Sequence, residues 1–188
     1  AIMVLKEAGA QVLNIELPLT TFATYRGVQK PEATLAHLER GWLTEKQDLY
    51  DELTRTRLLE GQEIRAVDYL RAQHERRLFA SSLRTAMQQV DALILPTQPM
   101  PAIPIAQIGQ DISIDSVTEN VGEAMLRLTM PFNLAGLPAI SFPCGFNSQG
   151  LPLSVQVVGK PFEEGLILRI AHSYQQMTDW HRREVKTA

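Results

Sequence analysis

The sequence predicts an α/β fold whose strands belong to a larger sheet than this segment completes by itself. Three observations lead there. Helical and strand-like patterns alternate along the 188 residues. Short apolar runs bounded by proline, glycine or asparagine, at 91–95, 139–143 and 153–158, have the length and punctuation of buried strands. Between and after them lie longer runs with helical spacing, at 66–90 and 163–177. There is no internal repeat or low-complexity tract. The length suits one domain, and a hydrophobic content of 45% supplies a sizeable core.

In order, AIMVLKEA reads as the last turns of a helix that Gly9 closes. Gln11 to Leu17 alternates polar and apolar residues before Pro18, the pattern of a half-buried strand. Residues 18–30 read as a loop, and helices follow at about 31–40 and 48–60. Over 66–90, Val67, Leu70, Leu78, Leu83 and Met87 are spaced to form one apolar face, with a basic, solvated face opposite. Asp91 to Leu95 is a short buried strand ending at Pro96. The stretch 96–117, proline-rich and then acidic and polar, is the longest without periodicity, and such stretches are often functional or mobile. A helix over about 118–128 leads to the most informative segment.

That segment is TMPFNLAGLPAISFPCG, Thr129 to Gly145, a proline-bracketed loop set directly before a short apolar strand. Pro131 fixes its own φ and pushes Met130 toward an extended conformation. Asn133 and Gly136 tolerate backbone angles closed to most residues, so the loop can turn sharply and approach a ligand. Ala139, Ile140 and Phe142 then read as a buried strand, and Asn147 to Gly150 as a four-residue connection to its hairpin partner.

Composition narrows the function. A formal charge of -3 and a pI near 5.8 leave no basic footprint for nucleic acid or an anionic membrane. No apolar run approaches the roughly 20 residues that span a bilayer, and the opening AIMVLKEAGA lacks the basic n-region of a signal peptide. A cytoplasmic protein is expected. One cysteine forbids an internal disulfide. Cys144 could serve as a nucleophile, yet it ends an apolar strand, and His37, His74, His172 and His181 share no motif with it, so a buried structural thiol is the reading. The histidines lack metal-ligand spacing, and neither a metal nor another cofactor is expected. Asp179-Trp180-His181 reads as a helix-terminal cap with Trp180 packed back on the core.

These residues together resemble the C-terminal part of the amidase signature enzymes. The phrase PFNLAGLPAISFPCGF at 131–146 is followed by GLPLSVQVVGKPF at 150–162 and by the closing helix LILRIAHSYQQMTDWH at 166–181. Upstream, DALILPT at 91–97 with Pro99, Pro101 and Pro104 is similar to the family's strand and proline-rich loop, and RLLEG at 57–61 with 68–77 to its paired helices. The likeness covers roughly residues 1–183 in consistent order. It implies a parent that hydrolyses a carboxylic amide with a Ser nucleophile, a second Ser in a cis peptide and a Lys, set in a glycine- and serine-rich stretch of the N-terminal half. No such stretch is present in this chain. Ser81-Ser82 lies in a helical run, and Lys6, Lys30, Lys46, Lys160 and Lys186 are scattered and read as solvated. Residues 1–188 are therefore expected to be the C-terminal portion of an amidase domain, with no catalytic residue of their own. The N-terminal half is the expected partner, and self-association the expected behaviour without it. A non-catalytic binding or subunit-interaction module of the same fold is the alternative.

For contact with a small amide substrate the candidates are Thr97, at a strand's end where ligands gather in α/β sheets, Asn133, Gly136 and Arg57. Thr97, Asn133 and Arg57 each have a structural reading as well: Thr97 as a turn cap, Asn133 bonding its own loop, Arg57 as an ion-pairing helix residue beside Glu60. The glutamine-specific subunits of tRNA-dependent amidotransferases tend to carry an Asp shortly before the TxPxN phrase. Here Leu126, Arg127 and Leu128 stand instead, which points to a general amidase.

Overall fold

A computed structural model describes residues 1–114 and 116–184, and the chain divides into two compact units. One takes in Pro18–Ser82; the other combines Ala1–Leu17 with the chain from Leu83 onward. The opening helix α1 (Ile2–Glu7) ends before Gly9, whose φ of 95° is open to glycine at little cost. Residues 11–17, expected as a strand, form none. Alternation supplies a strand's two faces but not its partner, and no described strand pairs with this segment.

The unit Pro18–Ser82 is helical. The first helix, α2 (Phe22–Glu39), starts nine residues earlier than its pattern indicates, inside the stretch expected to be a loop. Thr21 caps it, accepting a hydrogen bond from the Thr24 N–H at 3.1 Å, and Pro31 lies in its interior without ending it. Packing overrides the local breakers. Gly61 on α4 (Glu52–Gln62) sits so close to α2 that an added Cβ would lie 2.1 Å from Thr34 Oγ1 and 2.7 Å from the Lys30 carbonyl oxygen. The Thr34 hydroxyl donates to the Leu58 carbonyl at 2.6 Å, fastening the same crossing. A short helix, α3 (Trp42–Glu45), links α2 to a 3₁₀ turn before α4, which Asp51 caps through the Thr54 N–H at 3.0 Å.

The long helix α5 (Ala66–Ala86) forms as expected, but it turns a different face inward. Ala72, Phe79, Ala80, Leu83 and, just beyond the helix, Met87 are buried, while Val67, Leu70 and Leu78 are exposed. The small side chains of Ala72 and Ala80 permit close approach, and a reading weighted to large residues passes over them.

The other unit is built on a three-stranded antiparallel sheet with order β1-β5-β4. Strand β1 (Ala92–Pro96) pairs with β5 (Pro152–Gly159), which is central and pairs also with β4 (Ala139–Phe146). The hairpin closes over Asn147–Leu151, one residue longer than expected, because the Asn147 side chain accepts from the N–H groups of both Gln149 and Leu151. One sheet face packs Phe142, Val155 and Val157 on Leu5 of α1 and on Ile167, Ala171 and Tyr174 of α8 (Glu164–Met177), spaced i, i+4, i+7. Phe142 and Tyr174 ring centroids lie 5.1 Å apart. Trp180 packs back on this core as expected, with the Arg183 guanidinium 4.2 Å above its ring.

The aperiodic stretch 96–117 holds more order than its composition indicates. A second antiparallel pair, β2 (Asp111–Ile114) with β3 (Val117–Asn120), occupies its end and the start of the helix expected at 118–128. That helix is reduced to α6 (Val121–Leu126), capped by Asn120. Four-residue strands are too short to show a period. Likewise 129–138 is not an irregular loop: Met130–Ala135 forms α7, with Pro131 in its first turn, where a missing N–H costs nothing.

Candidate functional site

The sheet face opposite the α1/α8 core carries the polar groups. Ser141 on β4 and Leu95 on β1 both stand opposite Gln156 of β5, which places their side chains on one face. Thr97, just past the end of β1, keeps the ladder going by donating its N–H to the Ser154 carbonyl at 3.1 Å, and its hydroxyl lies 2.7 Å from the Ser141 hydroxyl. Thr97 is thus held by the sheet, with its hydroxyl paired to that of Ser141 at the strand end.

Gln156 is 3% exposed, and its Nε2 donates to the Pro96 carbonyl at 3.1 Å and the Leu128 carbonyl at 2.7 Å. This connection was not anticipated from the sequence, although a glutamine inside the apolar run VQVV is a signal for it. A buried carboxamide must find partners.

Beyond Leu128 comes α7. Asn133 lies on it, exposed, and its carboxamide has no hydrogen-bond partner among the described residues, so bonding of its side chain to its own loop is not what the structure contains. Gly136 ends α7 in the left-handed region at φ 71°, ψ 41°. Its N–H reaches the Asn133 carbonyl and that of Leu137 the Phe132 carbonyl, a Schellman closure, and the Leu137 and Phe132 side chains are both buried. Gly136 thus makes the sharp turn expected of it, as a helix terminator.

Arg57 belongs to the helical unit, exposed on α4. Glu60 is held in an ion pair by Lys30, whose hydrogen bond and charge keep its carboxyl below the usual range; Arg57 adds only a minor contribution. Arg127, in the stretch just before Thr129, brings Nη1 to 3.1 Å from Glu119 Oε1 of β3. Glu119 Oε1 and Arg127 Nε are buried without a hydrogen bond among the described residues. Sequence reading missed Glu119, which lies within the expected helix.

Cys144 is half-buried against the sheet core, and burial pushes its thiol above the usual range. Ser81 and Ser82 lie on an exposed part of α5. Lys186 falls outside the described residues. Among the described residues no group of three or more His, Cys, Asp or Glu is placed to hold a metal, and no helix is long and apolar enough to cross a membrane.

Comparison with known proteins bears on this geometry. A family model described as Amidase matches residues 4–168. The chain is 36% identical to a glutamyl-tRNA(Gln) amidotransferase subunit from Chloroflexus aggregans, matching 97% of this chain and 41% of that protein. It is 35% identical to an amidase of Pseudomonas putida, over 97% of this chain and 39% of the relative. Among solved structures, a crystal structure of an amidase superposes with a TM-score of 0.80 at 31% identity, over 93% of this chain and 39% of the other. The chain thus spans about two-fifths of the length of these relatives.

Proposed function

This chain belongs to the amidase family, and from that premise we propose that its parent protein hydrolyses a carboxylic amide through an acyl-enzyme, with this segment forming one wall of the substrate pocket. The observation that carries the reading is the match to an amidase fold along 93% of the chain at 31% identity. In the proposed mechanism a Ser is deprotonated through a second Ser and a Lys, attacks the amide carbonyl and expels the amine, and water then hydrolyses the acyl-enzyme. Backbone N–H groups stabilise the oxyanion. Those residues are assigned to the part of the parent outside this segment. Here the Thr97 and Ser141 hydroxyls and the Asn133 carboxamide supply polar contacts for the substrate, on a sheet face and a helix end fixed by the fold.

The remainder of the parent is the proposed partner. Among the described residues β1 and β4 each pair on one side only, and a groove of about 970 Å³ runs along β1, lined by Gln11, Leu13, Ile15, Leu93 and Leu95 among others. Open strand edges take up whatever strand is available. The proposed location is the cytoplasm, in keeping with a single free thiol.

A glutaminase subunit is the second reading, favoured by the 36% identity to an amidotransferase subunit. The general amidase is preferred because Leu126, Arg127 and Leu128 offer no acid before Thr129, and Arg127 is engaged with Glu119. Hydrolysis of aryl, aliphatic and urea-like amides by the full-length parent, set against glutamine, tests the choice. Turnover of a simple amide with glutamine inert supports the general amidase. Glutamine as the sole substrate selects the glutaminase reading, and no turnover of any amide leaves a non-catalytic module.

A further inference from the structure

We infer that Gln156 is a positioning residue of the proposed pocket, a clamp that ties the exit of β1 to the entry of α7 and so fixes the Thr97 hydroxyl relative to Asn133. The inference rests on the amidase reading for its effect on catalysis, and on hydrogen bonds alone for its geometry. The two carbonyls that Gln156 Nε2 binds are the ones directly before Thr97 and Thr129. Each belongs to a peptide leading into a site-bearing segment: Pro96–Thr97 into the strand end, Leu128–Thr129 into the α7 turn that carries Asn133. Both hydrogens of one nitrogen are used, and an amide is the neutral side chain of this length with two donors on one atom. Gln156 is itself fixed, since β5 is paired on both sides and its side chain is buried. A shift of either segment breaks a bond in a buried place, where an unmade bond is expensive.

Substitutions at this position separate clamping from packing. Gln156→Leu keeps the bulk and leaves both carbonyls without a donor. Gln156→Glu keeps the shape and makes the donor titratable. Ionised, it faces two carbonyls with acceptors only; protonated, it donates one O–H to one of them. Burial raises such a carboxyl's pKa, so the clamp is partly present at low pH and lost as pH rises through the folded-state value. Arg127 and Glu119, the charged pair on the flanking segments, are present in wild type and variants alike.

The test uses the full-length parent at temperatures well below unfolding. For Gln156→Leu we expect kcat/KM at least tenfold lower at every pH. For Gln156→Glu we expect a similar loss near pH 8 with partial recovery toward pH 5, each read as a ratio to wild type at the same pH. Hydrogen exchange at the Thr97 and Asn133 amides, compared with wild type at the same pH, should be faster in Gln156→Leu and, in Gln156→Glu, only at high pH. Should Gln156→Leu fail to fold, Gln156→Glu at the two pH values carries the test. A lowered Tm with wild-type kcat/KM and exchange in both variants makes Gln156 a packing residue and overturns the inference. If wild type hydrolyses no amide, the amidase reading fails, and the exchange comparison still decides whether the clamp exists.

Discussion

Replacing Gly61 with alanine perturbs the close crossing of α2 and α4 in the helical unit. The new Cβ would sit 2.1 Å from Thr34 Oγ1, 2.7 Å from the Lys30 carbonyl oxygen and 3.0 Å from its carbon. Thr34 cannot swing away freely, because it is β-branched, buried and bonded to the Leu58 carbonyl at 2.6 Å. The Lys30 atoms are backbone within α2, so relief requires α2 and α4 to part. Overpacking of this kind costs about 1–3 kcal/mol. Alanine's higher helix propensity returns up to about 1 kcal/mol on α4. With backbone among the clashing atoms, a net loss of about 2 kcal/mol is expected, or roughly thirtyfold in the opening equilibrium of the two helices. Native-state hydrogen exchange of α2 and α4 amides in the full-length parent reads it. Adding Thr34→Ala removes the first clash but not the second, so it should restore only part of the loss. Wild-type exchange in the single variant would refute the close crossing; complete rescue in the double variant would put the whole cost on the side chain.

Three further outcomes follow. Asn133→Ala in the full-length parent should change KM or kcat while leaving Tm within about 1 °C, since the side chain is exposed and has no hydrogen bond among the described residues; lost stability with unchanged kinetics would make it structural. With its thiol pKa raised by burial, Cys144 should react slowly with iodoacetamide at neutral pH and faster only well above the ordinary thiol value, and rapid labelling at pH 7 would contradict that burial. The isolated segment, with both edges of its three-stranded sheet unpaired among the described residues, should self-associate and bind hydrophobic dye at micromolar concentration, whereas light scattering from a compact, dye-free monomer would show that these residues close their own core.

The sequence displayed those parts of the fold whose periods run long enough to read. Val155 to Val158 is buried residue after residue, as an apolar run predicts for a strand covered on both faces, and α8 shows its i, i+4, i+7 core directly. It hid parts where tertiary contact outweighs local preference. Pro31 and Gly27 argue against the helix that α2 nonetheless forms, and Gln11 to Leu17 has a strand's alternation without a strand's partner. The site was half legible. Thr97 and Gly136 announce themselves through the proline before one and the turn around the other. Ser141, Gln156 and the Glu119–Arg127 contact depend on register between β4 and β5 or on the β2–β3 hairpin, which no local pattern specifies.

The central claim is that this segment shapes an amide-hydrolase pocket without carrying the nucleophile. Labelling the nucleophile tests it most directly: the full-length parent is incubated with a fluorophosphonate, which phosphonylates a reactive serine with loss of fluoride, or with a slowly deacylating amide, which leaves an acyl-enzyme, then digested, and the modified peptide is located by mass spectrometry. The account predicts a single adduct on a serine outside residues 1–188. An adduct on Cys144, Ser81, Ser82 or any other residue of this chain, formed in step with loss of activity, would contradict it.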